Sequence, residues 1–332
     1  MATYKEIKGT TIESITADPP TALAQGEMWY RSDTDNYKFG ANIQSWASGG
    51  TMLTARENMG SGGTTNAMWL AGGIPFGGFE YYNGTAWSAN SDMPTVGAGQ
   101  PLYCQEGAGI QDALFCGHGL KDFPKGASPY VLHYNGSSWT ADSCGNDRRY
   151  GAGFGTTAAA MVAGGSTWPN VWNTDSSNTW NGSSWSQEGT LPVGRNLNNA
   201  ATGIETAGFI LGGNSPAVPG STDATSEWNS TAWANDGAYP SVVNSSMCGG
   251  PITAAISVGG NTGSKTTASQ QYDGSTWSSY GATLPVATSN AGSATNAPGL
   301  TDFGIFGGSA PGTVDTTYEL SETTGIKTAS VT

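Results

Sequence analysis

The chain has 332 residues, only 11% of them charged, with 50 Gly, 12 Trp, 13 Tyr, 9 Phe and a formal net charge of −13. The aromatic content argues against a disordered low-complexity chain, and acidity without a basic run argues against nucleic acid or anionic membrane as partners. No apolar stretch approaches the ~20 residues of a membrane span, and the start, Met1 to Lys8, lacks the apolar segment of a signal peptide, so synthesis in a cytoplasm without routine export or membrane insertion is expected.

In chain order, residues 1–40 hold one short β segment around Met28-Trp29-Tyr30 and Tyr37-Lys38-Phe39. Residues 41–49 include Ile43-Gln44-Ser45-Trp46, which reads as the last strand of a repeat with no apolar strand of its own ahead of it. Six apolar runs then follow, each ending in glycine: 67–71, 113–116, 159–163, 208–211, 255–258 and 303–306. The first glycines stand at 72, 117, 164, 212, 259 and 307, a period of about 47. Continuous apolar runs of this length suit strands covered on both faces.

After each of the first five glycine pairs comes an aromatic–Asn–Gly–x–x–Trp motif. Its copies are Tyr82-Asn83-Gly84 with Trp87, Tyr134-Asn135-Gly136 with Trp139, Trp180-Asn181-Gly182 with Trp185, Trp228-Asn229-Ser230 with Trp233, and Tyr272-Asp273-Gly274 with Trp277. Asn-Gly and Asp-Gly favour a two-residue type I′ hairpin turn. That turn would set Tyr82 opposite Thr85 and Glu80 opposite Trp87, with Tyr82 and Trp87 in diagonal contact. Each unit thus reads as four strands: a Gly-rich strand, the apolar strand, and a hairpin ending in Trp. The sixth unit lacks the Trp strand, and residues 41–49 are expected to supply it. Residues 326–331 are the competing choice. The fold class is all-β: a six-bladed β-propeller over 41–332 behind a small N-terminal β segment at 1–40.

The double glycine, aromatic and Trp at this period resemble the kelch repeat family over roughly residues 50–320. The stretch Pro19 to Phe39, with Gly26-Glu27-Met28-Trp29-Tyr30, is similar to a segment of bacteriophage tail-fibre and other virion proteins. There it forms a small hairpin leading into a distal domain. Trp46-Ala47-Ser48-Gly49-Gly50 and Thr54-Ala55-Arg56 look like the repeats of proteins from tailed phages. This resemblance implies a virion component made in the host cytoplasm. It would join other virion proteins through the N-terminal segment, as a homo-oligomer in the particle.

Catalytic groups are sparse. His118 and His133 are the two histidines, and Cys104, Cys116, Cys144 and Cys248 form no CxxC pair, so neither metal nor cofactor is expected. Cys104 and Cys116 could face each other across a hairpin. Asp273-Gly274-Ser275-Thr276-Trp277 approaches a sialidase-type signature but reads as a turn aspartate. The Asn-Gly-Ser/Thr sequons read as turns in the same way. The loops after the glycine pairs vary most, and variable loops on a rigid scaffold bind. Trp168, Trp172, Asn173 and Asp175 in the third, with Phe76, Phe79 and Phe123 in equivalent loops, suit sugar rings or a protein surface. Arg56, Arg149 and Arg195 lie 16, 15 and 17 residues before their glycine pairs, near one mouth of the central channel. There they would bind an anion or pair within the fold. The expected function is non-catalytic: a phage tail fibre, appendage or capsid-associated fibre displaying its propeller to host glycan or protein. A cellular scaffold or lectin-like module is the alternative, and a glycoside hydrolase the third.

Overall fold

The computed structural model describes residues 13–19, 26–75, 77–96, 100–101, 103–119, 126–167, 173–215, 220–297 and 299–329. The described residues form strands without helices, so no helix is long and apolar enough to cross a membrane. Two compact units divide the chain: Trp46–Ser321, and residues 1–45 with 322–332.

The larger unit is a ring of six antiparallel sheets, the propeller expected from the repeat. Blade 1 takes its strands in order from Gly60–Thr64, Ala67–Ala71, Phe79–Tyr82 and Trp87–Ala89. Blade 2 uses Glu106–Ile110, Ala113–Gly117, Ser128–Tyr134 and Trp139–Arg148, and blade 3 uses Ala152–Gly155, Ala160–Ala163, Ser176–Trp180 and Trp185–Thr190. Blade 4 holds Ala201–Ile204, Ala207–Leu211, Thr225–Trp228 and Trp233–Asp236, and blade 5 holds Met247–Gly249, Ala255–Val258, Ser269–Tyr272 and Trp277–Ser279. Blade 6 runs Gly292–Ser293, Phe303–Phe306, Thr317–Ala329 and then Asn36–Ser48. The closing strand is therefore the N-terminal one, and residues 326–329 extend the third strand of that sheet instead. Trp46 packs against the blade 6 core, its ring 6.2 Å from that of Phe303. Blades 6 and 1 join through Asn296 N–H to Gly63 O (3.1 Å) and Ser293 N–H to Ser61 Oγ (3.0 Å).

The second strand of each blade is buried on both faces, as in Met68-Trp69-Leu70-Ala71 and Phe209-Ile210-Leu211. First strands are glycine-rich because an aromatic from the neighbouring blade presses on them. A Cβ on Gly107 would stand 2.7 Å from the Trp69 ring of blade 1, and one on Gly249 would stand 2.4 Å from Phe303 of blade 6. Close packing leaves no room for either.

The hairpin differs from the expected two-residue turn. Tyr82 pairs directly with Trp87 and Glu80 with Ala89, so the loop is Asn83 to Ala86, four residues long. The reason lies in the Asn side chain. Its Oδ1 accepts the N–H groups of Thr85 (3.0 Å) and Ala86 (2.9 Å), and only Gly84 takes a positive φ, 85°. A type I′ turn needs two such residues. Asn135, Asn181, Asn229 and Asp273 repeat the arrangement. The aromatic contact survives the change of register, with centroids 4.9–5.6 Å apart in the five blades.

These tryptophans also join blades. Trp87 Nε1 donates to Thr317 Oγ1 of blade 6 (2.8 Å), Trp233 to Ser177 Oγ of blade 3 (3.0 Å) and Trp277 to Thr225 Oγ1 of blade 4 (2.8 Å). In each case a fourth-strand indole reaches the start of the third strand one blade back. Trp139 meets Phe79 there instead, edge on at 4.8 Å.

In the smaller unit Glu13–Ile15 pairs in parallel with Met28–Arg31, which pairs antiparallel with Asn36–Phe39 through the expected hairpin. Trp29 is buried and donates to Asp18 (3.2 Å), and Arg31 bridges Asp18 (2.9 Å) and Asp33 (2.5 Å). Glu322 accepts from Asn42 (2.5 Å) and Gln44 (3.0 Å).

Candidate functional site

One mouth of the propeller channel is built from a repeated backbone device. Asn58, Cys104, Tyr150, Asn198, Ser245 and Asn290, one per blade, have φ of 54°, 24°, 57°, 48°, 54° and 57°. Each stands two or three residues before the first strand of its blade. Non-glycine residues rarely enter this region, and where they persist the surroundings hold them. Here the ring holds itself. Asn58 N–H donates to Asn290 O, Asn290 N–H to Ser245 O, Asn198 Nδ2 to Ser245 Oγ, Asn198 N–H to Tyr150 O, Tyr150 N–H to Gln105 Oε1, and Gly60 N–H to Cys104 O. The circuit passes through all six blades.

The loops after the glycine pairs open on this same mouth. Bridges Glu57–Ile74, Arg149–Ser166, Asn196–Asn214, Asn244–Asn261 and Ser289–Ser309 tie the residue after each pair to the segment entering its blade. The result is a rigid polar rim of amides and hydroxyls, able to exchange hydrogen bonds with a polyhydroxylated or peptide ligand. Asn173 is part of it: its Oδ1 accepts from Ser166 Oγ (3.0 Å) and its Nδ2 donates to Asn214 O (2.6 Å). Asp175 is exposed beside it. Phe76, Phe123, Trp168 and Trp172 lie outside the described residues. Phe79 is no loop residue: it sits on the third strand of blade 1, buried edge-on to Tyr134 at 5.0 Å.

Arg56 and Arg195 are not free at the channel mouth. Arg56 is buried, donates to Gly72 O (2.7 Å) and Gly77 O, and stands 3.5 Å from Glu80. Burial lowers the Arg56 pKa and raises that of Glu80, each opposed by the other's charge. Arg195 donates to Ala224 O (3.1 Å) and Ser226 Oγ (2.6 Å) with no carboxylate at hand, and burial pulls its pKa down to about 10. In blade 3 the equivalent residue is Arg148, not Arg149. Arg148 is wholly buried and donates to Ser176 Oγ (3.0 Å) and Asn178 Oδ1 (2.8 Å). Each guanidinium crosses from the blade entry to the third strand, clamping the two. Arg149 remains at the rim, half-buried, its guanidinium carbon 5.3 Å from the centroid of the Tyr150 ring.

Two further features were not apparent in the sequence. Within blade 2, His118 Nε2 lies 2.7 Å from Cys144 Sγ while its Nδ1 touches Glu106 Oε1, in the order of nucleophile, base and orienting acid. Burial, with Arg148 nearby, holds His118 well below its usual pKa, and burial raises that of Cys144. Thiol and imidazole are both shut from solvent, which makes the group a buried polar network. The one sequence signal is His118 standing where other repeats have the second glycine. At the far ends of the first strands, a recess of about 380 Å³ is lined by Ile204, Ala207, Pro251, Ile252, Thr253 and Asn296. Its walls are small and mainly apolar. Among the described residues no three His, Cys, Asp or Glu side chains gather as a metal site would require.

No family profile matches the sequence, and no curated protein does. The solved structure of YjhT, a kelch-like β-propeller protein, is similar with a TM-score of 0.62 at 13% identity, over 84% of this chain and 99% of that one. At that identity the likeness concerns the fold: the chain is a six-bladed β-propeller.

Proposed function

We propose that this protein is a structural component of a tailed-phage particle, a tail appendage or capsid-associated fibre, that holds its propeller out as a binding module. The observation that carries the reading is the small N-terminal unit. Its Met28–Arg31 and Asn36–Phe39 hairpin coincides with the stretch resembling virion proteins, and the unit is compact in itself. Attachment to the particle is assigned to this unit, and contact with host-surface glycan or protein to the polar rim around Asn173, Asn198 and Asn214. A rim of backbone-anchored amides binds by hydrogen bonding with little ordering cost, which suits repeated low-affinity contacts on a multivalent particle.

Mass spectrometry and immunogold labelling of purified particles from the source culture test this. Stoichiometric presence in virions supports the reading, and confinement to the cell lysate refutes it. A glycan-array signal without hydrolysis, from protein absent in particles, would instead favour a cellular lectin-like module.

A further inference from the structure

Two of the four cysteines meet. Cys104 fills blade 2's place in the left-handed ring, and Cys116 lies on that blade's second strand. Their sulfurs are 2.8 Å apart, and both residues are fully buried. Nothing stands between the two sulfurs, and closing them to the ~2.05 Å of a bond takes a shift of under an ångström. Gly60 makes the space: a Cβ there would lie 2.9 Å from the Cys116 Cβ and 3.3 Å from the Cys104 Cβ, so both Cβ atoms crowd one spot. The remaining pair is engaged elsewhere, Cys144 with His118 and Cys248 beside Ser246 and Ser257 in blade 5.

We propose that Cys104 and Cys116 are an oxidation site, forming a disulfide that staples the channel-mouth ring to the second strand of blade 2 once the protein meets a small-molecule disulfide. One cysteine thiolate attacks a sulfur of the reagent, forming a mixed disulfide and expelling one thiolate. The second cysteine loses its proton and attacks the protein sulfur of that mixed disulfide, expelling the other. The cysteine pair gives up two protons and two electrons, and the reagent becomes two thiols. Burial raises the Cys104 pKa well above its usual value, so exchange proceeds while blade 2 is open, during folding or local opening. The same burial then shields the bond from reductant. The staple needs no virion role and stands independently of it.

The test uses the full chain, refolded with oxidised glutathione or with dithiothreitol, then blocked with N-ethylmaleimide in denaturant. Residues 57–121 form one tryptic peptide holding both cysteines, with Glu106 and Asp112 between them, while Cys144 and Cys248 fall in other peptides. After glutathione the peptide is expected to carry no maleimide, to be lighter by two hydrogens, and to remain joined after cleavage at Glu106. Cys144 and Cys248 stay labelled. The oxidised protein melts about 2–8 °C above the reduced one, a shift that Cys104→Ser and Cys116→Ala each abolish. Maleimide on both residues, a glutathione adduct on either, or pairing with Cys144 or Cys248 would overturn the proposal. The peptide map of the unaltered chain decides the matter even if a variant does not fold.

Discussion

Replacing Trp87 by Phe tests whether the indole bonds between blades stabilise the ring. Trp87 is buried at the seam of blades 1 and 6, its ring 4.7 Å from that of Phe306, and its Nε1 donates to Thr317 Oγ1, a fully buried hydroxyl. Phe keeps most of the aromatic contact and removes the donor. The lost bond and the orphaned hydroxyl together cost about 1–3 kcal/mol, to which the smaller ring adds about 1 kcal/mol of lost packing. Thr317→Val removes the acceptor and leaves a buried indole N–H instead. In the double variant neither polar group is orphaned, so the two costs should not add, with a coupling of about 1–2 kcal/mol. Urea unfolding followed by Trp fluorescence, with linear extrapolation for the four proteins, measures it. Costs that add to within about 0.3 kcal/mol would refute the bond as a stabilising element. The same substitution at Trp185, whose Nε1 has no partner among the described residues, is expected to cost less than at Trp87.

Arg56→Met is expected to destabilise by about 3–5 kcal/mol because it strands the buried Glu80 carboxylate, and Arg195→Met by only about 1–3 kcal/mol because its partners are neutral. Adding Glu80→Gln should recover part of the Arg56 loss, and equal losses in urea unfolding would contradict the pairing. Asp273 accepts from the backbone and hydroxyls of Ser275 and Thr276, which lowers its pKa from 3.8 to about 2. A lowered carboxylate stabilises above its unfolded value, so the contribution is complete above pH 3.8 and fades as the pH falls to about 2. Asp273→Asn should flatten the melting temperature over that window and leave the turn intact, and an unchanged acid profile would contradict the assignment. Deleting residues 41–49 is expected to lower the melting temperature of the whole propeller, since Trp46 completes blade 6, whereas deleting 1–20 should leave propeller melting unchanged. Calorimetry of both truncations checks this.

The ring and the number of its blades were legible in the sequence because their cause is local and repeated. Apolar runs ending in glycine recur at one period, and a run covered on both faces can only be a buried strand. The missing Trp strand in the sixth unit likewise pointed to Trp46 for closure. The turn was misjudged because Asn-Gly suits two hairpin loops, and the choice fell to Asn83 Oδ1 capturing two backbone N–H groups. The arginines were placed at a blade entry, with an anion or a partner within the fold both left open as their neighbour. Spacing along the chain locates a residue at a blade entry, yet only packing shows whether a guanidinium turns outward to the channel or inward to a third strand. It also decides that Arg148, not its neighbour Arg149, turns inward. The left-handed ring, the Glu106–His118–Cys144 contact and the Cys104–Cys116 approach join residues that the sequence separates by turns and whole strands. No local pattern encodes the ring, because it exists only once six sheets converge on one axis and their entry segments are forced together, whereas the other two contacts form within blade 2, where the spacing of Cys104 and Cys116 across a hairpin was already visible.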